Sequence, residues 1–144
     1  MTPQKMPSLL IRIIVGFLAN FITIAVMAAI FGEFVQSTYF PDLAAENPNM
    51  VFLFGGVFLM SLLIVLLYPY FLIEVGSGWF VNALQFAVLF GLTVYFATHM
   101  VQAGYIVVSP VGWLLEGLYD SLAPSVSIIV LAWLTRRQNK IQAT

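Results

Sequence analysis

Long runs of apolar residues, with very few charges inside them, dominate this chain. Only 8% of its residues are charged and its mean hydropathy is +1.02, whereas a soluble domain carries about 25% charged residues. A helix needs about 20 apolar residues to cross the hydrocarbon of a bilayer. Runs of that length occupy about residues 8–32, 50–73, 79–102 and 110–134. The sequence therefore predicts an all-α integral membrane protein, with residues 1–144 forming one domain of four transmembrane helices in an up-down bundle.

The connections between the runs predict which helices are neighbours. The longest connection, 33–49, contains prolines and asparagines and is expected to be a loop, in which 34–40 could form a short interfacial helix. The connection at 74–78 is very short, so the second and third helices should be antiparallel and in contact. Pro69 lacks an N–H group and should bend the second helix near its end.

The positions of the charged residues predict the orientation. Basic residues flank the first and last runs, and acidic residues lie in the long connection: Lys5, Arg12, Arg136, Arg137 and Lys140, against Glu33, Asp42 and Glu46. An even number of spans places both termini on one side, and the positive-inside rule makes that side the cytoplasm. The first run is too long for the apolar part of a signal peptide, so we expect a retained helix.

Composition also excludes several classes of function. The chain has no cysteine, which excludes disulfides, thiol redox chemistry and thiolate metal sites. Its few basic residues lie in two short terminal groups, so no nucleic-acid surface is expected. No nucleophile-elbow serine, HExxH motif or phosphate-binding glycine loop occurs. We therefore expect no enzymatic activity and no cofactor.

Several polar residues are predicted to lie together in the outer half of the bundle. Counting about 1.5 Å per residue places Glu116 about 9 Å and Asp120 about 15 Å below the outer boundary. By the same count His99 lies near the level of Glu116, and Asn20 and Thr93 near that of Asp120. The predicted intramembrane site comprises Asp120, Glu116, His99, Asn20, Thr93 and Tyr95.

The fourth run adds a predicted helix break beside this site. Glu116, Asp120 and Ser127 have the spacing of one helix face. Pro124 has no N–H to offer the carbonyl of Asp120, and helix breaks beside acidic side chains hold ions or protons in transporters. Alternatively, a protonated Asp120 bonded to Asn20 or Thr93 would simply hold helices together.

The sequence leaves more than one role open for the single histidine. For His99 we expect a hydrogen bond to Glu116 or Tyr95 rather than a metal-binding role. As a lesser alternative, it could ligate one pigment magnesium or a haem shared across a dimer.

The third run carries a resemblance to known sequences. The segment LFGLTVY, from Leu89 to Tyr95, followed by His99, resembles the uncharacterised short bacterial membrane proteins grouped as four-span domains of unknown function. Those families have a comparable Leu-Phe-Gly-Leu stretch with a tyrosine following, and then a further span with an aromatic and an acidic residue. The likeness covers about the last 60 residues. It implies a four-helix bundle in a bacterial inner membrane, with no established activity. The polar residue after the tyrosine is typically acidic there and is His99 here, so no acidic site is carried over to that position.

Two functions follow as expectations. The first is a non-enzymatic inner-membrane protein, embedded in the lipid bilayer, that acts as a homo-oligomer or as an accessory subunit of a larger complex. The alternative is a carrier or channel for protons, ions or a small solute that uses Glu116, Asp120 and His99. A membrane enzyme acting on lipid or quinone, or a haem- or pigment-binding subunit, is a lesser possibility.

Overall fold

The computed structural model describes residues 6–40, 50–70, 78–105 and 109–141, and within these ranges the chain is helical and contains no strand. We number four helices. Helix α1 spans Leu9–Tyr39 and includes a π-helical segment at Ala28–Gly32. Helix α2 comprises Met50–Leu67 and a 3-10 turn at Tyr68–Tyr70. Helix α3 comprises Trp79–Phe90, a π-helical segment at Gly91–Phe96 and Ala97–Tyr105. Helix α4 comprises Pro110–Asp120 and Leu122–Ile141.

Three of these helices are long and apolar enough to cross a membrane. They are Leu9–Tyr39, Trp79–Val101 and Pro110–Ile141, and a shorter apolar helix is present at Phe54–Tyr70. The all-helical class and the membrane-protein character expected from the sequence are therefore confirmed. Helix α2 leaves α-helical geometry at Tyr68, as Pro69 predicts. The predicted end of the second span at residue 73, and the connection at 74–78 apart from Gly78, lie outside the described residues.

Helix α1 is longer than the predicted first span. Residues Glu33–Tyr39 are helical, which agrees with the alternative of a short helix at 34–40 and not with a loop from residue 33. Neither proline nor glycine interrupts Glu33–Tyr39. Its Val35 is buried, and so is Phe40, whose ring packs edge-on against Trp113 of α4 at 5.4 Å. Contact with the start of α4 therefore keeps these residues helical. The remainder of the predicted loop, 41–49, lies outside the described residues.

Helices α3 and α4 also continue past their predicted ends, 102 and 134, to Tyr105 and Ile141. The predicted end of α4 at residue 134 marks only where the apolar residues stop. The helix continues to Ile141 because Arg136, Gln138 and Lys140 are good helix formers.

Helix α4 is the central helix of the bundle. It contacts α1 and α3 along most of its length, and α2 packs mainly on α1. Among the described residues the main contacts of α3 are on α4. That α2 and α3 are antiparallel and in contact stays a prediction, although residues of both helices belong to the core. The core consists of apolar and small residues from α2, α3 and α4: Ile64, Val65, Tyr68, Ala83, Ala87, Ile128, Leu131 and Ala132.

A row of small residues explains why α3 packs on α4. Ala83, Ala87 and Gly91 lie four residues apart, so they share one face of the α-helical part of α3 and continue it into the π-helical segment. A Cβ atom on Gly91 would lie 2.8 Å from the carbonyl oxygen of Ser121 in α4, a distance that real contacts do not reach. The two backbones therefore approach closely at this point.

The charges separate along the bundle. The first turn of α1 and the last turns of α4 lie side by side, because Ser8 and Ile11 line the same surface cavity as Arg137. We call this the basic end, and its described cations are Arg12, Arg136, Arg137 and Lys140. The guanidinium of Arg136 lies 5.4 Å from the centre of the Trp79 ring, a cation–π contact that joins α4 to the start of α3. The described carboxylates are all in the opposite half, which we call the acidic half: Glu33, Glu116 and Asp120.

Candidate functional site

The site is built around an interruption of α4 at Ser121. The α-helix stops at Asp120 and resumes at Leu122. Pro124 is fully buried and cannot donate to the carbonyl of Asp120, and the one-residue interruption lies where the helix break is predicted. The side chain of Ser121 donates to the Leu118 carbonyl at 2.6 Å. Serine therefore satisfies a carbonyl one turn before the break, where a helix in lipid could not leave it unpaired.

A second serine connects the break to α3. Ser125 Oγ lies 2.8 Å from the carbonyl oxygen of Ser121 and 3.0 Å from that of Ala87 in α3. It can donate to either oxygen. The break is therefore held against α3 by a polar contact as well as by the small-residue row.

Asp120 forms an ion pair across the same helix interface. Its Oδ2 lies 3.5 Å from Nε2 of His99, and the His99 and Asp120 side chains are 13% and 31% exposed. The sequence had His99 paired with Glu116 or Tyr95. Asp120 takes the place of Glu116, and Tyr95 contributes only its backbone carbonyl oxygen, 2.9 Å from His99 Nδ1. Asp120, on which the sequence prediction centred, thus contacts the titratable side chain of His99 on α3.

The two contacts of the imidazole determine where its protons lie. A carbonyl oxygen only accepts, so Nδ1 of His99 must carry the proton that it donates to Tyr95. Attraction between Nε2 and Asp120 then requires one further proton, on the imidazole or on the carboxyl group. Two titratable side chains therefore lie 3.5 Å apart between α3 and α4, beside the interruption at Ser121.

Gly117 makes this pair possible. A Cβ atom at that position would lie 2.6 Å from the Cβ of His99, so any larger residue would push α3 away. The indole of Trp113, one turn earlier, lies 5.8 Å from the imidazole. His99 thus packs against one face of α4, which is formed by Trp113, Gly117 and Asp120.

Glu116 occupies a different environment. It lines a cavity of about 360 Å³ between α4 and the outer turns of α1, together with Gln36, Phe40, Trp113 and Tyr119. No hydrogen bond or ion pair to it is found in the part of the chain that the structure describes. The sequence could not indicate the α1 side of this cavity, because those residues fall in the stretch expected to be a loop.

Asn20 does not belong to the same cluster, and its predicted place beside Asp120 is wrong. It is fully buried, its Nδ2 donates to Ser61 Oγ at 2.7 Å, and its Oδ1 accepts from Ser127 Oγ at 2.7 Å. These three side chains, which we call the Asn20 triad, join α1, α2 and α4. Asn20 bonds Ser127, seven residues beyond Asp120, so it lies about 10 Å deeper than the count along the helix predicts. The count started too early because α1 continues to Tyr39.

Ser127 explains part of that error. Its spacing from Asp120 predicts a shared helix face, but Ser127 contacts Asn20 of α1 whereas Asp120 contacts His99 of α3. The break at Ser121 lies between them and interrupts the helical register. The only sequence signal for the triad was the presence of a small polar residue within each of three apolar runs.

Thr93 also lies outside the site. Its side chain is exposed and donates to the Leu89 carbonyl of its own helix at 2.7 Å. A threonine in an apolar helix commonly satisfies its hydroxyl in this way. The π-helical segment Gly91–Phe96 additionally shifts the helix face on which Thr93 and Tyr95 lie. The prediction that Thr93 reaches Asp120 is wrong.

The side chains of the site include few that could coordinate a metal ion. Among the described residues, no group of three or more His, Asp or Glu side chains could hold a metal ion. The chain has one histidine, so a haem with two histidine ligands would need a second copy. A role for His99 toward a haem or pigment stays a prediction.

The geometry defines a helical membrane protein with a titratable pair at a break in its central helix. Comparison of the chain with protein-family models, curated proteins and solved structures finds no match. The resemblance to short four-span bacterial families therefore stays a prediction.

The Asn20 triad gives a direct test of this reassignment. Asn20→Leu removes two interhelical hydrogen bonds, and such bonds in membranes contribute about 0.6 to 1.7 kcal/mol each. We expect the free energy of unfolding in mixed micelles to fall by about 1–3 kcal/mol. Thr93→Val, the matched control, should change it by less than about 0.5 kcal/mol because Thr93 is exposed. Equal effects of the two substitutions would contradict the assignment.

Proposed function

We propose that this chain is a four-span protein of the bacterial inner membrane, with cytoplasmic termini, that acts without enzymatic activity as a homo-oligomer or as an accessory subunit of a membrane complex. The packing of α1 and α3 on α4, and of α2 on α1, supports the bundle. The grouping of the described cations at one end supports the orientation, because cytoplasmic ends are enriched in Lys and Arg.

The observation that carries the association is the incomplete burial of α1. In the most apolar part of α1 only 11% of residues are buried within the protein, against 44% in α4. The outer half of α1 exposes Ala25, Ala28 and Ala29. Small residues allow a neighbouring helix to approach the backbone closely, which favours helix association in lipid. We infer that this face of α1 packs against a second copy or another subunit.

Photo-crosslinking from single cysteines tests the association, because the natural chain contains none. We expect a benzophenone maleimide on Ala29→Cys to give protein adducts in native membranes, at the mass of a dimer or larger. The same probe on Leu59→Cys, an exposed position on α2, should attach mainly to lipid. Absence of protein adducts from Ala29→Cys, together with a monomeric mass in mild detergent, would reject the proposal.

A carrier or channel for protons, ions or a small solute is the second candidate. It is favoured by the close approach of the titratable side chains His99 and Asp120 at the helix break, with Glu116 facing a cavity nearby. Acidic side chains beside broken helices are a recurring arrangement in transporters. Four helices enclose little volume, so this function would need the dimer.

Proton flux tests this second candidate. In vesicles with an internal pH dye and an imposed membrane potential, Asp120→Asn should abolish the proton flux of the wild-type protein because the amide cannot carry the transferred proton. Glu33→Gln removes an exposed carboxylate of the same half and should leave the flux unchanged. A wild-type rate in Asp120→Asn would remove Asp120 from the mechanism.

A further inference from the structure

The cavity beside Glu116 has the size and the walls of a small-molecule site. Its volume of about 360 Å³ falls within the range of about 300–1,000 Å³ that such sites occupy. Helix α1 contributes Gln36 and Phe40 to its wall, and α4 contributes Trp113, Glu116 and Tyr119. A single carboxylate and three aromatic rings therefore face one space.

Among the described residues the carboxylate in this space forms no ion pair, and the imidazole of His99 lies within electrostatic range of it. Arg12, Arg136, Arg137 and Lys140 are all at the basic end, and His99 is engaged by Asp120. Within the described ranges Glu116 has no ion pair or hydrogen bond. A charged group at this depth is costly without a partner, so a cation that enters the cavity would be stabilised there by Glu116.

The aromatic walls indicate which kind of cation fits. Phe40 packs edge-on to Trp113 with ring centres 5.4 Å apart, which fixes the position of both rings. Aromatic faces attract organic cations, and quaternary ammonium groups are recognised in this way. A desolvated inorganic ion would need about six oxygen ligands. Among the described lining residues, three side chains carry oxygen, Gln36, Glu116 and Tyr119, and these are too few.

We propose that this cavity binds a small organic cation of the quaternary ammonium type, with Glu116 as its counter-ion and Phe40, Trp113 and Tyr119 as its walls. The cavity adjoins the exposed face of α1 that carries the proposed association, because Ala28 belongs to both. For the carrier proposed as the second candidate function, this cavity would define the substrate as an organic cation. That extension rests on the proposed function. Binding itself requires neither transport nor the His99–Asp120 pair.

Calorimetric titration of the detergent-purified full chain with tetraethylammonium tests the proposal. We expect saturable binding to the wild-type protein and an affinity at least about tenfold lower for Glu116→Gln, since a buried charge partner is lost. Glu33→Gln, which removes the same charge outside the cavity, should bind like the wild type. Trp113→Leu keeps the carboxylate and should weaken binding several-fold through loss of the ring. Circular dichroism would establish that each variant is helical.

Three outcomes would overturn the proposal: no saturable binding by the wild-type protein, equal affinity in Glu116→Gln, or competition by sodium at concentrations equal to that of the probe. Should Glu116→Gln fail to fold, unchanged affinity in Trp113→Leu would overturn it instead. The experiment reads binding and not flux or mass. A negative binding result would therefore not affect the proton-flux and crosslinking tests. Negative results in those two tests would not affect the binding proposal.

Discussion

The close approach of α3 to α4 is the interaction on which the rest of the structure depends. In lipid there is little hydrophobic force between helices, so association relies on close packing and hydrogen bonds. Gly91 brings α3 against the backbone of Ser121, and Gly117 receives His99. The same contact positions the imidazole beside Asp120 and allows Ser125 to reach the Ala87 carbonyl. Without it, the interrupted part of α4 would have exposed polar backbone.

The polar groups of the bundle divide into two kinds with different consequences. Below the break, the Asn20 triad is neutral, fully buried and mutually bonded, which favours a role in holding three helices together. Above the break, His99 and Asp120 are titratable and partly exposed, and Glu116 faces a cavity. We therefore place the proposed proton and cation chemistry above the break and the structural role below it.

Much of this architecture can be predicted from the sequence because it depends on local properties. The apolar runs predict the helices, Ser8 and Pro110 mark two helix starts, and Pro124 predicts the break. These signals need no knowledge of neighbouring helices.

What could not be predicted depends on contacts between distant segments. The last turns of α1 are helical where they pack on α4, which the local sequence does not reveal. The π-helical segment at Gly91–Phe96 changes which side chains of α3 face α4, so Thr93 was misplaced. The pairing of His99 with Asp120 rather than Glu116 depends on the rotation of α3 about its axis. Counting residues also misplaced the depth of Asn20, because the count depends on where α1 ends.

The central claim is that the bundle crosses the inner membrane with its basic end in the cytoplasm and its acidic half toward the outside. Labelling of intact bacteria with a small inner-membrane-impermeant maleimide tests it most directly, using Thr38→Cys and Lys140→Cys, both exposed in the structure. The account predicts that Thr38→Cys is labelled in intact cells and Lys140→Cys only after the inner membrane is permeabilised. Labelling of Lys140→Cys in intact cells would contradict the orientation. It would also contradict the expectation that Glu116 and Asp120 lie in the half of the bundle that faces the outside.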